Sequence, residues 1–384
     1  MHDRSVVVFA GGGTGGHLYP ALALSDELVR RRPGTHPFFL GAKKGLEARV
    51  LPERGMEHRL LPVRGFNRGD LLSNLGVPWA LARSVAIALR LVRRLEPELV
   101  VVTGGYAGAP AGVAAVIRGI PLVLQEQNAW PGETTRLLSR WAAQVHLAFP
   151  EAVVRLPARA RDAIHVSGCP IRPLPTLRPE RREVCHRLGL DPELEVLLVV
   201  GGSQGSAALN ALVLDAVRRM PGGGAPIDGW QLLWATGPAR HTDVERALTA
   251  MGRPPRVRAV PYIEDIPSAL SVTGLAVSRA GAMTTAELLA WGVPAILVPL
   301  PTAAANHQAL NAQALHDSGA AVHLPQEGLT SEQLWCEVTE LAGDERRLER
   351  MSRAALERSH PGATAAIVAE MLRLLPGPGR GATA

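Results

Sequence analysis

The stretch SVVVFAGGGTGGH, residues 5–17, decides the fold class. An unbroken apolar run gives way to glycines interrupted only by Thr14, and a helical pattern opens directly behind them. Apolar residues without polar alternation suit a strand buried on both faces, as in a parallel sheet flanked by helices. The plan recurs as ELVVVTGG before YAGAP (98–110), VLLVVGG before SQGS (196–206) and LAVSRAG before AMTTAELLA (275–290). Repeated strand–turn–helix units predict doubly wound α/β domains.

The succession starts twice, at Ser5 and near Val196, each time with its own glycine loop. Between the two series lies GCPIRPLPTLRPERREVC (168–185), whose prolines and arginines mark a linker. A boundary near Ser167 follows, giving a first domain over 1–166 and a second over 167–360. After the break Ser359-His360-Pro361, residues 361–376 hold a last apolar helix, and 377–384 form a tail. The expected architecture is two Rossmann-like halves facing each other across a cleft. A chain of 384 residues suits two such domains, and 47% hydrophobic residues supply their cores.

Lys and Arg number 41 against 35 Asp and Glu, a formal net charge of +6 that favours anionic partners without choosing among them. The cationic residues are scattered and match no nucleic-acid-binding motif, so nucleic acid is disfavoured. Three widely spaced cysteines, Cys169, Cys185 and Cys336, predict reduced thiols with neither a disulfide framework nor a metal site. The N-terminal apolar run is too short for a signal peptide. The longest uncharged stretch, Leu288–Ala305, is broken by Gly292, Pro294, Pro299 and Pro301, so it reads as helix, turn and strand rather than a membrane span. Membrane contact would therefore be peripheral. Leu71, Leu72, Leu75 and Trp79, followed by Arg83, Arg90, Arg93 and Arg94, form a candidate lipid-docking patch, with core packing as its alternative.

Glycine at the end of a strand lets the chain turn tightly and lets a phosphate or sugar approach backbone N–H groups. Gly11, Gly13 and Gly16 satisfy GxGxxG, a weak dinucleotide signal on its own. The next strand, PFFLGAKKG, ends in Lys43-Lys44 where the fingerprint expects an acid, leaving an NADP reading open. His17 begins a helix, where the macrodipole disfavours its protonation, and a neutral imidazole can accept a proton from a hydroxyl. Closing the first helical turn is the structural alternative. Further loops, Gly104-Gly105-Tyr106 and Gly201–Ser206, suggest phosphates gripped from both domains. Thr284 and Glu287 fit a T-x-x-E capping box, or Glu287 binds ribose hydroxyls. Asn306-His307-Gln308 and Asn311 start a helix from which amides can read sugar hydroxyls. The polar strand end Gln125-Glu126-Gln127-Asn128 is placed for a ligand.

Taken together, GGTGGH (12–17), GGYAGAP (104–110), QEQNAWPG (125–132), GCPIR (168–172), GGSQGS (201–206), YIEDI (262–266), SRAGAMTTAE (278–287) and NHQALNA (306–312) resemble the MurG family of two-domain, GT-B type glycosyltransferases. The segments occur in that family's order and span nearly the whole chain. The resemblance implies transfer of N-acetylglucosamine from UDP-N-acetylglucosamine to a lipid-linked muramyl-pentapeptide, with inversion and without cofactor or metal. It implies a donor site in the second domain. There Ile263 meets the uracil, Ala282, Met283 and Thr284 line the nucleotide pocket, and Glu287 holds the ribose. Ser203, Gln204 and Arg172 lie by the diphosphate, and His307, Gln308 and Asn311 read the sugar. In the first domain Thr14, Gly15, Gly16 and Asn128 approach the reacting carbon, while Gly13, Thr14, His17, Gly104, Gly105 and Tyr106 line the acceptor. His17 and Asn128 take the catalytic roles. The last helix is expected to pack back on the first domain. The resemblance also implies work at the cytoplasmic face of an anionic membrane, beside other cell-wall synthesis proteins. Gln125 stands where the family commonly has His, Cys169 where it has Asn, and Ala303-Ala304-Ala305 replaces a more polar lead-in. A UDP-sugar epimerase of the same architecture is the alternative, and an NADP-dependent oxidoreductase a weaker one.

Overall fold

The computed structural model describes residues 5–63, 76–202, 204–219 and 228–376. It divides into two compact units, Met1–Pro173 with Pro361–Ala384, and Leu174–His360. The first is built on strands β1 (Ser5–Gly11), β2 (Thr35–Ala42), β3 (His58–Leu61), β4 (Leu99–Gly104), β5 (Leu122–Glu126), β6 (Gln144–Leu147) and β7 (Ile164–Val166). They form one sheet in the order β3-β2-β1-β4-β5-β6-β7, and every pairing is parallel. The second unit holds β8 (Glu195–Val200), β9 (Trp230–Ala235), β10 (Val257–Val260), β11 (Thr273–Ser278), β12 (Ala295–Leu297) and β13 (Ala321–His323). Their order is β10-β9-β8-β11-β12-β13, again wholly parallel.

Both sheets are double-wound, and each has one place where the strand order reverses: between β1 and β4, and between β8 and β11. Helices after two such neighbouring strands leave on opposite faces, which opens a crevice at the carboxyl ends where ligands bind. Register brings Gly11 level with Gly104 in the first sheet and Val200 level with Ser278 in the second. Every glycine loop singled out in the sequence therefore hangs over a reversal point.

The apolar runs are buried as their composition requires: Val7, Val8, Phe9 and Val100 to Val102 in the first unit, and Val196 to Val199 in the second, are all at most 1% exposed. Each such side chain contributes about 1.5–3 kcal/mol by leaving water. Part of the first core comes from the far end of the chain. The helix Ala363–Leu374 places Ile367, Val368 and Met371 among Val7, Phe9, Leu18 and Leu22. The Thr364 hydroxyl donates to Ile171 O at 2.8 Å, and Gln144 Nε2 donates to Glu370 O at 2.9 Å, fixing that helix in place. Among the described residues no helix is long and apolar enough to cross a membrane, and no three His, Cys, Asp or Glu side chains gather as a metal site would need.

Candidate active site

In the first unit, β1 ends at Gly11 and the helix Gly15–Arg31 begins after Thr14. Gly13 has φ +91°, a left-handed turn that L residues avoid. His17 is the third residue of that helix, half-buried, with Nδ1 3.2 Å from Thr14 Oγ1. Its carbonyl accepts the Thr103 hydroxyl at 2.7 Å, and Thr103 O in turn accepts Gln127 Nε2 at 2.6 Å. Thus β4 and β5 both brace the turn that carries His17. Gly104 and Gly105, at φ +102° and +72°, let the neighbouring turn pass directly against the imidazole. A Cβ at Gly104 would stand 2.8 Å from His17 Cδ2, and one at Gly105 would stand 3.0 Å from Nδ1. Tyr106 lies over Gly13, and burial, with Glu47 second, raises the phenol above its ordinary pKa. Gly13, Thr14, His17, Gly104, Gly105 and Tyr106 are therefore one cluster.

The polar strand end differs from expectation. Gln125, Glu126 and Gln127 are at most 3% exposed and are spent on internal bonds. Glu126 accepts from Asn128 N at 3.1 Å, Asn128 Nδ2 at 3.2 Å, Gly132 N at 2.9 Å and the Thr135 hydroxyl at 2.8 Å. Gln127 Nε2 also donates to Gln125 Oε1. Four polar residues in sequence resolve into a scaffold of three that presents the fourth, Asn128, half-exposed.

The first glycine loop also departs from the phosphate-cradle expectation. Gly13 N–H donates to both carboxylate oxygens of Glu47 at 3.0 Å, and Ala42 N–H donates to Oε1 at 2.7 Å. The dinucleotide fingerprint expects an acid at the end of β2 to reach for a ribose; Glu47, which opens the helix after that strand, instead turns inward. It is 0% exposed and fills the loop from within, while Lys43 and Lys44 are exposed. Sequence reasoning missed Glu47, whose partner lies 34 residues away; its one advance signal is the pair of glycines, Gly41 and Gly45, that make room for it.

In the second unit the loop after β8 is drawn against the end of β9. Gly205 and Gly237 pack backbone to backbone, and Asn210 Nδ2 donates to Thr236 O at 2.8 Å while its Oδ1 accepts Trp234 Nε1 at 3.0 Å. Gln204 is exposed there, and Ser203 lies outside the described residues. Arg279, at the end of β11, ties the site together. Its guanidinium donates to Val298 O at 2.9 Å, Pro299 O at 3.0 Å, Ser206 Oγ at 2.6 Å and Gln326 Oε1 at 2.6 Å. All four acceptors are neutral, and the residue is 6% exposed; burial lowers its pKa from the ordinary guanidinium value. A buried cation held by neutral acceptors keeps its field at the strand ends.

The capping-box explanation of Thr284 and Glu287 does not hold. The helix runs Ala282–Trp291 with Gly281 at its N-cap and no side-chain cap, so both residues sit inside it, half-buried. The box needs its threonine one residue before the helix, and here the helix starts three residues too early in the chain for Thr284 to be its cap. Met283 is half-buried beside Ala282, and Ile263 is 4% exposed in the turn after β10. The helix Ile266–Ser271 that follows this turn packs against Ala282–Trp291. In the helix His307–Asp317, Gln308 Oε1 accepts Leu300 N–H at 3.0 Å, His307 Nδ1 lies 2.7 Å from Ala304 O, and the buried Asn311 donates Nδ2–H to Ala280 O at 3.1 Å. Ala305 and Asn306, just ahead, are left-handed at φ +51° and +55°, conformations that persist only where surroundings impose them. Arg172 is exposed and falls in the first unit rather than with these residues.

Two family models cover this geometry. The glycosyltransferase family 28 N-terminal domain matches residues 7–147, and the family's C-terminal domain matches residues 196–366. The chain belongs to glycosyltransferase family 28. Among its family 28 relatives, a protein of Desulforudis audaxviator is 38% identical over 97% of this chain and 99% of its own length. One of Chlorobium phaeobacteroides is 40% identical over 96% and 99%. Both are named UDP-N-acetylglucosamine–N-acetylmuramyl-(pentapeptide) pyrophosphoryl-undecaprenol N-acetylglucosamine transferase. The crystal structure of Acinetobacter baumannii MurG superposes with a TM-score of 0.75 at 27% identity, covering 96% of this chain and all of that one.

Proposed function

We propose that this family 28 protein transfers N-acetylglucosamine from UDP-N-acetylglucosamine to the C4 hydroxyl of a lipid-linked muramyl-pentapeptide, converting lipid I to lipid II. The observation that carries this reading is the 38–40% identity, over essentially the full length of both chains, to proteins named for that transfer. An epimerase or oxidoreductase is not favoured beside it.

The reaction is a single in-line displacement. The muramyl C4 oxygen bonds to the anomeric carbon as the carbon–oxygen bond to the diphosphate breaks, and UDP departs with the bonding pair. His17 takes the hydroxyl proton. With Nδ1–H donating to Thr14 Oγ1, this tautomer carries the basic lone pair on Nε2, beside the Gly104–Gly105 turn. Asn128, presented by Glu126, orients the reacting groups. On the donor side the charge building on UDP is met by the N–H groups of the Gly201–Ser206 loop, by Ser203, Gln204 and Arg172, and by the field of the buried Arg279. Ile263, Ala282, Met283, Thr284 and Glu287 hold the nucleoside, and His307, Gln308 and Asn311 hold the sugar.

The acceptor's lipid is a membrane component, and the protein works at the cytoplasmic face as a peripheral partner. Support comes from the helix Val77–Leu95, where Trp79 is 78% exposed and Arg83, Arg90, Arg93 and Arg94 are exposed. Leu71, Leu72 and Leu75 lie outside the described residues.

The test is incubation with labelled UDP-N-acetylglucosamine and the lipid-linked acceptor. Acceptor-dependent UDP release together with labelled lipid is the expected result. UDP or an epimerised sugar formed equally without acceptor would overturn the reading. His17→Ala should lower turnover by about 10²-fold or more while leaving UDP binding intact.

A further inference from the structure

A glycine-rich turn between a strand and a helix is ordinarily an anion site, because backbone N–H groups and the positive helix end converge there. In the first unit this position is already taken. The Glu47 carboxylate receives Gly13 N–H on both oxygens and Ala42 N–H on one, and the residue is fully buried. The surrounding backbone is cleared for it. A Cβ on Gly12, Gly41 or Gly45 would collide with the Glu47 side chain. On its outer side Gly13 is held by the Tyr106 ring, so the loop is clamped between a carboxylate beneath and a phenol above.

We propose that Glu47 is a positioning residue for the acceptor half of the reaction: an internal anion that fixes the Gly11–Gly16 loop, and with it Thr14 and His17. The inference rests on the role proposed above for His17. It has a second consequence: with Gly13 N–H committed to a carboxylate, this loop repels a further phosphate and presents hydroxyl and imidazole groups to a neutral sugar hydroxyl. Two loops with the same glycine-rich spelling thus do different work, the first holding a nucleophile and its base, the second an anion.

Glu47→Gln tests this at constant shape. The amide nitrogen takes the place of one oxygen, so an N–H faces Gly13 N–H and donor meets donor. The expected result is a fall of about tenfold or more in kcat/KM for the acceptor, with the KM for UDP-N-acetylglucosamine within about twofold and the thermal transition lowered by a few degrees for the buried donor pair. Unchanged acceptor kinetics in folded Glu47→Gln would overturn the proposal, as would equal losses for both substrates. Should Glu47→Gln fail to fold, Gly45→Ala decides, since its Cβ presses on both oxygens of the carboxylate and leaves its charge in place. The same acceptor-selective defect supports the role, and wild-type acceptor kinetics removes it. His17→Ala measured alongside keeps the two ideas apart. Full turnover in that variant removes the underlying reading, whereas loss there with an unaffected Glu47→Gln removes only the role of Glu47.

Discussion

Gly104→Ala puts the geometry around His17 under direct test. Gly104 sits at φ +102° and ψ −170°, a region essentially reserved for glycine. Forcing alanine there costs about 1–3 kcal/mol of stability. The specific effect is on the imidazole. The new Cβ would lie 2.8 Å from His17 Cδ2 and 3.2 Å from Nε2, against the 3.4 Å at which ordinary contact begins. Ring and turn must separate by about 0.6 Å, and where 1 Å of misplacement costs about 10²-fold, this shift costs about tenfold in turnover. That is about 1.4 kcal/mol on the barrier. Steady-state kinetics with saturating UDP-N-acetylglucosamine would read the loss in kcat, and calorimetric titration with UDP should show unchanged affinity. Gly119→Ala is the control for backbone strain alone, because Gly119 is also left-handed, at φ +65°, with nothing within 4 Å of its would-be Cβ. If folded Gly104→Ala keeps kcat within about twofold of wild type, the imidazole is not where the chemistry depends on it. If Gly119→Ala loses as much, strain rather than displacement is responsible.

Three further outcomes follow from particular contacts. Arg279→Lys replaces a fork reaching four acceptors with an ammonium of three donors, leaving at least one acceptor unbonded; at about 1.5–3 kcal/mol for each charged hydrogen bond, the second unit should lose about 1.5–3 kcal/mol or more and bind UDP less tightly. For a unit of this size that lowers its melting transition by about 3–12 °C, and a shift under about 1 °C would refute the hub role. Burial, reinforced by neighbouring His165, depresses the His146 pKa to about 3. Because the folded value lies below the unfolded one of about 6.5, the neutral ring contributes stability above that pH which is lost as pH falls toward 3. Melting curves for wild type should therefore steepen in their pH dependence below about 6.5, and His146→Phe should flatten that segment. Trp79→Ser should weaken flotation with anionic vesicles at low salt; undiminished binding would place the lipid contact elsewhere.

Much of this architecture can be read from the chain because its strands are buried on both faces. Runs such as Val100–Val102 and Val196–Val200 have no polar alternation to confuse them with surface strands, and each ends in glycine where the backbone must turn. The site is legible only to the extent that it is local. Thr14, His17 and the glycines lie within one turn, and so do Gly104, Gly105 and Tyr106. What brings those turns together is long-range. Glu47 reaches Gly13 across a whole strand and helix, Gln127 reaches Thr103 across another, and Arg279 meets Gln326 from 47 residues away. Local pattern also misled at Thr284, where a capping-box spelling fell inside a helix begun by Gly281. It misled again at Gln125–Gln127, where polarity at a strand end served internal bracing rather than a ligand.

The return of the helix Ala363–Leu374 to the first unit has a consequence for biogenesis. The chain passes from the first unit to the second after Pro173 and comes back after His360, so the unit begun first on the ribosome is completed last. While residues 174–360 are being made and can fold on their own contacts, the surface formed by Val7, Phe9, Leu18 and Leu22 waits for Ile367, Val368 and Met371. A stop codon falling at residues 361–363, between the end of the second unit and the returning helix, would spare the whole second unit and leave the first with an open core. Such truncation products should be sticky and protease-sensitive at their N-terminal half, although every residue proposed for the chemistry is still present.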